Sequence, residues 1–209
     1  FLYSRSFEMM VELGSMPVMR ILSRAIRVIA EGEVLQLSKV RDASTTEDTY
    51  MEVIRGKTAM LFEASTHSAA ALAGSPEVQS GALRHFGDHL GIAFQLVDDL
   101  LDYQGEAATL GKNVGDDLAE GKPTLPLIYV MQHGTAEQAA CVRKAIEEGG
   151  RDDFPLVLEA IRSSGALDHA RKRAVQEAEL ARASIQCVGD SQYKEALLQL
   201  SFFAVERNH

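Results

Sequence analysis

Apolar residues recur at every third or fourth position along almost the whole chain, the interval that gathers them on one face of an α-helix. Val18, Ile21, Leu22, Ala25, Val28 and Ile29 make one such face, with Arg20, Arg24 and Arg27 off it. Start signals punctuate the pattern. Ser44 with Glu47, and Thr135 with Gln138, have capping-box spacing, and Ser75 before Pro76 matches an N-cap followed by proline at the first helical position. The periodicity predicts helices over residues 3–13, 16–39, 46–73, 76–104, 123–133, 136–148, 153–164, 167–188 and 191–206. No stretch alternates β-branched and polar residues as a half-buried strand would. The expected fold class is all-α, and 209 residues suffice for one domain with a substantial core.

One segment interrupts its own oily pattern. "FQLVDDLLDYQG", residues 94–105, sets Asp98, Asp99 and Asp102 among Phe94, Leu96, Val97, Leu100 and Leu101. On a helix, positions 98 and 102 lie one turn apart on the same face, and Gln95 lies one turn earlier. Carboxylates so close together repel and hold protons more tightly unless a cation neutralises them. Hard divalent cations such as Mg²⁺ take carboxylate oxygens and keep sites for water and phosphate. An exposed helix end with solvated aspartates is the plainer alternative.

The neighbours favour the cation. A glycine-rich stretch, residues 105–124, follows and reads as a loop bearing Lys112 and Lys122 with Asp116 and Asp117 between them. On an earlier helix "RGKTAMLF" places Arg55, Lys57 and Thr58 beside Ala59, Leu61 and Phe62, although a surface lysine with a buried stem would look the same. Carboxylates, a Lys-Thr pair and two glycine-flanked lysines together suit a polyphosphate bridged by magnesium. Competing motifs fail. "TLGKN" lacks the P-loop pattern, with Glu106 and Asn113 where glycine and Ser or Thr are required. His85 and His89 have zinc-helix spacing, but Phe86 replaces the catalytic glutamate, so they read as helix-face or packing histidines. Gly87 and Gly91, with Ala93, predict close approach of a second helix.

A net charge of −9 argues against a nucleic-acid surface and means that an anionic substrate needs its own cluster of cations. Cys141 and Cys187 lie far apart without a CxxC spacing, the expectation for free thiols in a reducing cytoplasm. No apolar run approaches the ~18 residues of a membrane span, and no secretory leader is visible. From about residue 134 onward the chain is charge-laced and reads as a peripheral layer without chemistry.

The aspartate segment also carries a resemblance. "GIAFQLVDDLLDYQGEAATLGKNVGDDLAEGKPTLP", with "AEGEVLQL" from Ala30 and "KTAMLFEAS" from Lys57, resembles the second aspartate-rich region and flanking motifs of trans-isoprenyl diphosphate synthases, on the side of the bacterial octaprenyl and related polyprenyl enzymes. The resemblance implies an isoprenoid synthase helical bundle around a central cavity. It implies that Asp98, Asp99 and Asp102 bind Mg²⁺ (Mn²⁺ as a substitute) against an allylic prenyl diphosphate, with Asp116 supporting them. Lys57, Lys112 and Lys122 would contact the same diphosphate, Thr58 and Gln95 would line the nascent carbocation, and Phe94 would lie near isopentenyl diphosphate. The alanine- and methionine-rich faces around Met9, Met10 and Ala69 to Ala73 would border the product channel, or serve as ordinary core. A homodimer is implied, with a long all-trans product of octaprenyl or nonaprenyl length destined for a quinone side chain and handed to a membrane enzyme.

The pattern of that family also departs from this chain. A first aspartate-rich motif and a Gly-Lys-Arg region are not found, and "RDDFP" at 151–155 lacks the third aspartate. The chain begins at "FLYSR", in mid-pattern and without methionine. Residues 1–209 are therefore expected to be the C-terminal two-thirds of a single polyprenyl synthase domain, inactive alone. Two other functions stay open: a non-catalytic partner subunit of a heteromeric synthase, and a shorter-chain farnesyl or geranylgeranyl diphosphate synthase.

Overall fold

A computed structural model describes residues 1–104, 115–149 and 152–207, and among these residues there are helices and no strands. The first two helices are α1 (Leu2–Leu13) and α2 (Met16–Lys39). The segment expected as one helix over 46–73 is three pieces: α3 (Glu47–Ile54), a π-helical turn (Arg55–Ala59) and α4 (Met60–Leu72). The long α5 (Glu77–Gln104) is followed by a short α6 (Asp116–Ala119), which lies within the stretch expected to be loop. Then come α7 (Leu125–His133), α8 (Ala136–Glu148), α9 (Phe154–Ser164), α10 (Ala166–Ser184) with a 3₁₀ turn at Ile185–Cys187, and α11 (Gln192–Glu206).

The caps follow the sequence at one of the two expected boxes. Thr135 accepts from Gln138 N–H while the Gln138 side chain accepts from Thr135 N–H, a complete capping box. Ser44 does not cap α3. It is held back by Asp42, through both its N–H and its hydroxyl, and Thr46 becomes the N-cap, accepting from Thr49 N–H at 3.2 Å. The nearby carboxylate outcompetes a helix that starts two residues further on.

α5 is the axis of the fold, spanning about 42 Å at 1.5 Å per residue. Its buried residues occupy every side of the helix, among them Phe86, Leu90, Ile92, Leu96 and Leu100, because neighbours surround it. Two neighbours lie especially close, α4 on one side and α10 on another. The expected glycine contact is present. A Cβ on Gly87 would stand 2.4 Å from the Phe62 carbonyl oxygen, and one on Gly91 would stand 2.5 Å from Ala59 Cα. On the other side, Ala166, Ala170, Ala174, Ala178 and Ala181 form a fully buried row on α10. That row corrects the reading of everything after residue 134 as periphery: α10 is a core helix whose charges occupy the remaining faces. A cluster of Ile54, Ile92, Leu96, Leu100, Leu125 and Ile128 lies beneath the polar part of α5, and a second core of Leu127, Val130, Ile146 and Ile161 joins α7, α8 and α9.

The α2 face packs as expected, with Val18 and Ala25 buried and Ile21, Leu22, Val28 and Ile29 against Met60 and Ala64. Met10 and Ala70 are buried, whereas Met9, Ala69 and Ala73 are exposed, since adjacent helical residues point about 100° apart. None of the described helices is long and apolar enough to cross a membrane. Both cysteines are unpaired thiols.

Candidate active site

A cavity of about 580 Å³ opens between α2, α3, the π turn, α5, α6 and Arg207, which follows α11. Lys57, Thr58, Gln95, Asp98, Asp99 and Asp102 all line it, and so do Asp116 and Lys122. The structure thus brings together nearly all of the expected site residues. Lys112 falls on residues 105–114 and lies outside the described residues. Phe94 does not line the cavity; its ring lies 5.4 Å from that of Phe62 and under the guanidinium of the lining Arg207 at 3.9 Å.

Local backbone geometry sets Lys57 and Thr58. The π turn carries both, and α2 crosses it at Gly32, where an added Cβ would lie 2.6 Å from Lys57 N and 2.8 Å from the Gly56 carbonyl carbon. Only a glycine lets the two backbones meet at that distance. Single π turns inside helices are frequent at functional sites, and here the extra residue per turn brings two adjacent side chains toward the cavity. Lys57 Nζ reaches Glu33 at 2.8 Å and also donates to Gln36 Oε1, both on α2. Thr58 Oγ1 donates to Gln95 Oε1 at 2.9 Å.

The three aspartates have distinct surroundings. Asp98 has the lightest hold, a long 3.4 Å contact from Gln95 Nε2. Asp99 is 4% exposed, and both its oxygens are engaged: Tyr50 donates to Oδ2 at 2.6 Å and Gln95 Nε2 to Oδ1 at 2.7 Å. Asp102 accepts three backbone N–H groups, from Gly115 and Asp116 at 3.2 Å and from Asp117 at 3.1 Å, and so ties the start of α6 to α5. Burial first, and the charge of Asp117 second, push the Asp99 carboxyl up to about 8. The same two causes raise Asp102, against the pull of its backbone donors. Lys122 bonds Asp117 at 3.1 Å and Glu120 at 2.8 Å.

Six acids and four bases among the described residues line the cavity, an excess of carboxylate over positive charge. Among the described residues no three acidic, histidine or cysteine side chains converge on one cation position. The donor set nevertheless fits a hard divalent cation: oxygen ligands, an excess of carboxylate, and Asp99 buried with neutral donors alone. A cation here would draw most of its remaining ligands from water or a bound phosphate.

Tyr50, Asp117 and Arg207 also line the cavity and were not singled out by sequence reasoning as site residues. A buried tyrosine needs a partner for its hydroxyl, and Tyr50 lies two turns before Lys57, so it was open to detection. Arg207 is reached only through the tertiary fold, its Nη2 donating to the Phe94 carbonyl at 2.7 Å across 113 residues.

Comparison with known proteins decides the family. The profile of the polyprenyl synthetase family matches residues 1–161. The chain belongs to that family. It is 52% identical over 210 residues to octaprenyl diphosphate synthase of Escherichia coli (strain K12), covering 100% of this chain and 65% of the relative. It superposes with a TM-score of 0.94, at 45% identity, on a polyprenyl synthase from Caulobacter crescentus CB15 complexed with calcium and isoprenyl diphosphate, over 100% of this chain and 64% of that one. A geranylgeranyl pyrophosphate synthase from Corynebacterium glutamicum, complexed with isoprenyl diphosphate and magnesium, matches with a TM-score of 0.82 at 30% identity, covering 92% and 57%. The chain spans about 65% of the length of the E. coli relative it matches. Its all-α fold is that of these synthases.

Proposed function

We propose that the chain forms the C-terminal two-thirds of a single polyprenyl synthase domain and that the whole protein elongates an allylic prenyl diphosphate with isopentenyl diphosphate. The observation that carries this is the convergence of Asp98, Asp99 and Asp102 with Lys57, Thr58, Gln95 and Lys122 on one cavity. The product is of octaprenyl length, with nonaprenyl as the alternative, and serves as a quinone side chain. A homodimer in the cytoplasm that passes its product to a membrane enzyme completes the reading.

Asp98 and Asp102, with Asp99 behind them and Asp116 supporting, would hold Mg²⁺, for which Mn²⁺ can substitute. Bound magnesium supplies neutralisation of the diphosphate charge. Lys57, Lys122 and Lys112 act on the same charge as point cations, and this lowers the cost of breaking the allylic C–O bond, whose electron pair leaves with diphosphate. Thr58 and Gln95 present oxygen dipoles to the allylic carbon as it becomes cationic. Phe94, whose ring carries the Arg207 guanidinium, would lie near isopentenyl diphosphate. The double bond of isopentenyl diphosphate supplies the electrons of the new C–C bond. A proton is then lost from the adjacent carbon and is accepted by the released diphosphate.

The retained carboxylates and lysines speak against a non-catalytic partner subunit. The test uses the full-length natural polypeptide with Mg²⁺, farnesyl diphosphate and labelled isopentenyl diphosphate, with products sized by chromatography. Octaprenyl or nonaprenyl products are expected. Products that stop at geranylgeranyl length would indicate a short-chain enzyme, and absence of incorporation would overturn the proposal.

A further inference from the structure

Four side chains from three elements form an unbroken hydrogen-bond chain along the cavity wall. Tyr50 on α3 donates to Asp99 Oδ2 at 2.6 Å, Gln95 Nε2 donates to Asp99 Oδ1 at 2.7 Å, and Thr58 on the π turn donates to Gln95 Oε1 at 2.9 Å. With Asp99 ionised, as it would be beside a bound cation, both of its oxygens only accept, so the Gln95 amide turns its NH₂ to Asp99 and its carbonyl to Thr58. The opposite amide orientation would set carbonyl oxygen against carboxylate oxygen. Asp99 therefore determines how Gln95 faces the cavity, and Tyr50 determines how Asp99 sits.

Tyr50 is suited to that task. It is 5% exposed and belongs to the apolar cluster with Ile54, Leu96 and Leu100 beneath the site, so its ring is held by packing. Only its hydroxyl turns toward the polar side. α3 and α5 touch little elsewhere compared with the contacts of α5 to α4 and α10, which makes the Tyr50–Asp99 bond a principal polar link between them.

We infer that Tyr50 is a positioning residue of the prenyl transfer, acting through Asp99 to hold the Gln95 amide and the Thr58 hydroxyl in the orientation that meets the reacting allylic carbon. The inference rests on the proposed function, and it assigns no contact between Tyr50 and substrate. Networks of this kind contribute as a unit, so the effect of one member depends on the presence of the next.

The test is a double-mutant cycle in the full-length protein. Tyr50→Phe keeps the packed ring and removes the hydroxyl. It is expected to lower kcat by ten-fold or more, while KM for both diphosphates, and calorimetric binding of an unreactive allylic thiolodiphosphate with Mg²⁺, change by less than about threefold. Asp99→Asn alone also lowers kcat, and adding Tyr50→Phe to it produces little further loss. A kcat within twofold of wild type in Tyr50→Phe overturns the inference. So does a double variant whose loss is the product of the two single losses, since Tyr50 would then act by a route independent of Asp99. Should Tyr50→Phe lose its cooperative thermal transition, Tyr50→Met is read by the same criteria. Failure of the wild-type protein to incorporate isopentenyl diphosphate is a separate result and would overturn the functional reading beneath the inference.

Discussion

Asp99 and Glu177 are both 4% exposed, and their surroundings are opposite. Glu177, on α10, meets a cation and a ring nitrogen: Arg173 Nη2 lies 3.3 Å from one oxygen and His89 Nδ1 lies 2.7 Å from the other. Arg173 continues to Glu47 on α3 at 3.5 Å, and His169 joins Glu47 at 3.3 Å. Asp99, on α5, has a phenol and an amide, with Asp98 and Asp117 as like-charged neighbours. A buried carboxylate with its cation present is part of the scaffold. Among the described residues no cationic side chain bonds Asp99, and burial keeps its proton on instead, which supports the proposed cation site.

The largest expected effect on stability breaks the scaffold side. Glu177→Gln keeps the shape but leaves Arg173 and His89 facing a neutral amide, at a cost of about 2 kcal/mol. For a chain of this size that lowers Tm by about 4–8 °C, measured by calorimetry on the metal-free protein. An unchanged Tm would show that the His89–Glu177–Arg173 group is dispensable, and the contrast with Asp99 would fall with it.

The second effect has the opposite sign. Asp99 holds its proton up to about pH 8 in the folded protein, against 3.8 when free of its surroundings. Between those values the folded state binds more protons than the unfolded state, so stability falls as pH rises, and the loss is complete above the folded value. Asp99→Asn removes this dependence. In metal-free protein it is expected to gain on wild type by about 1–2 kcal/mol between about pH 5 and pH 9, read from denaturant titrations at each pH. Glu177→Gln, measured beside it, is expected to stay below wild type at every pH. A constant difference between Asp99→Asn and wild type across that range would show that the Asp99 carboxyl is not strained by its site.

The same contrast shows how far sequence reasoning reaches. The placement of the aspartate triplet, Lys57 and Lys122 on one cavity, and the glycine contact on α5, follow residue types and spacings visible in the sequence, while Lys112 lies outside the described residues. That the three aspartates differ was not legible, since Asp99 is set by Tyr50, 49 residues away, and Asp102 by backbone N–H groups beyond position 114. The π turn was hidden too, because "RGKTA" keeps a good helical pattern and the crossing at Gly32 is a tertiary fact. On α10 the charged residues masked a row of alanines at four- and three-residue spacing, so a core helix was read as periphery. Glu177 was one charge among many until His89, 88 residues away, was placed beside it.

The smallest effect probes how far the scaffold network extends. Glu47 is about one-third exposed, and its links to Arg173 and His169, at 3.5 and 3.3 Å, are looser than the His89–Glu177 bond. Water screens such a group, and exposed or half-exposed pairs contribute little. Glu47→Gln also removes an acid from the first turn of α3, where a negative charge favours the helix. The two effects together predict a loss of about 0.5–1 kcal/mol, weaker in raised salt. Denaturant titrations at low and high ionic strength measure it. Because Glu47 and Tyr50 share α3, the size of this loss also reports how firmly the helix that carries the Asp99 donor is anchored. A loss as large as that of Glu177→Gln would mean that the network acts as one unit from α5 to α3, and that the scaffold acid and the site acid are linked through the helix between them.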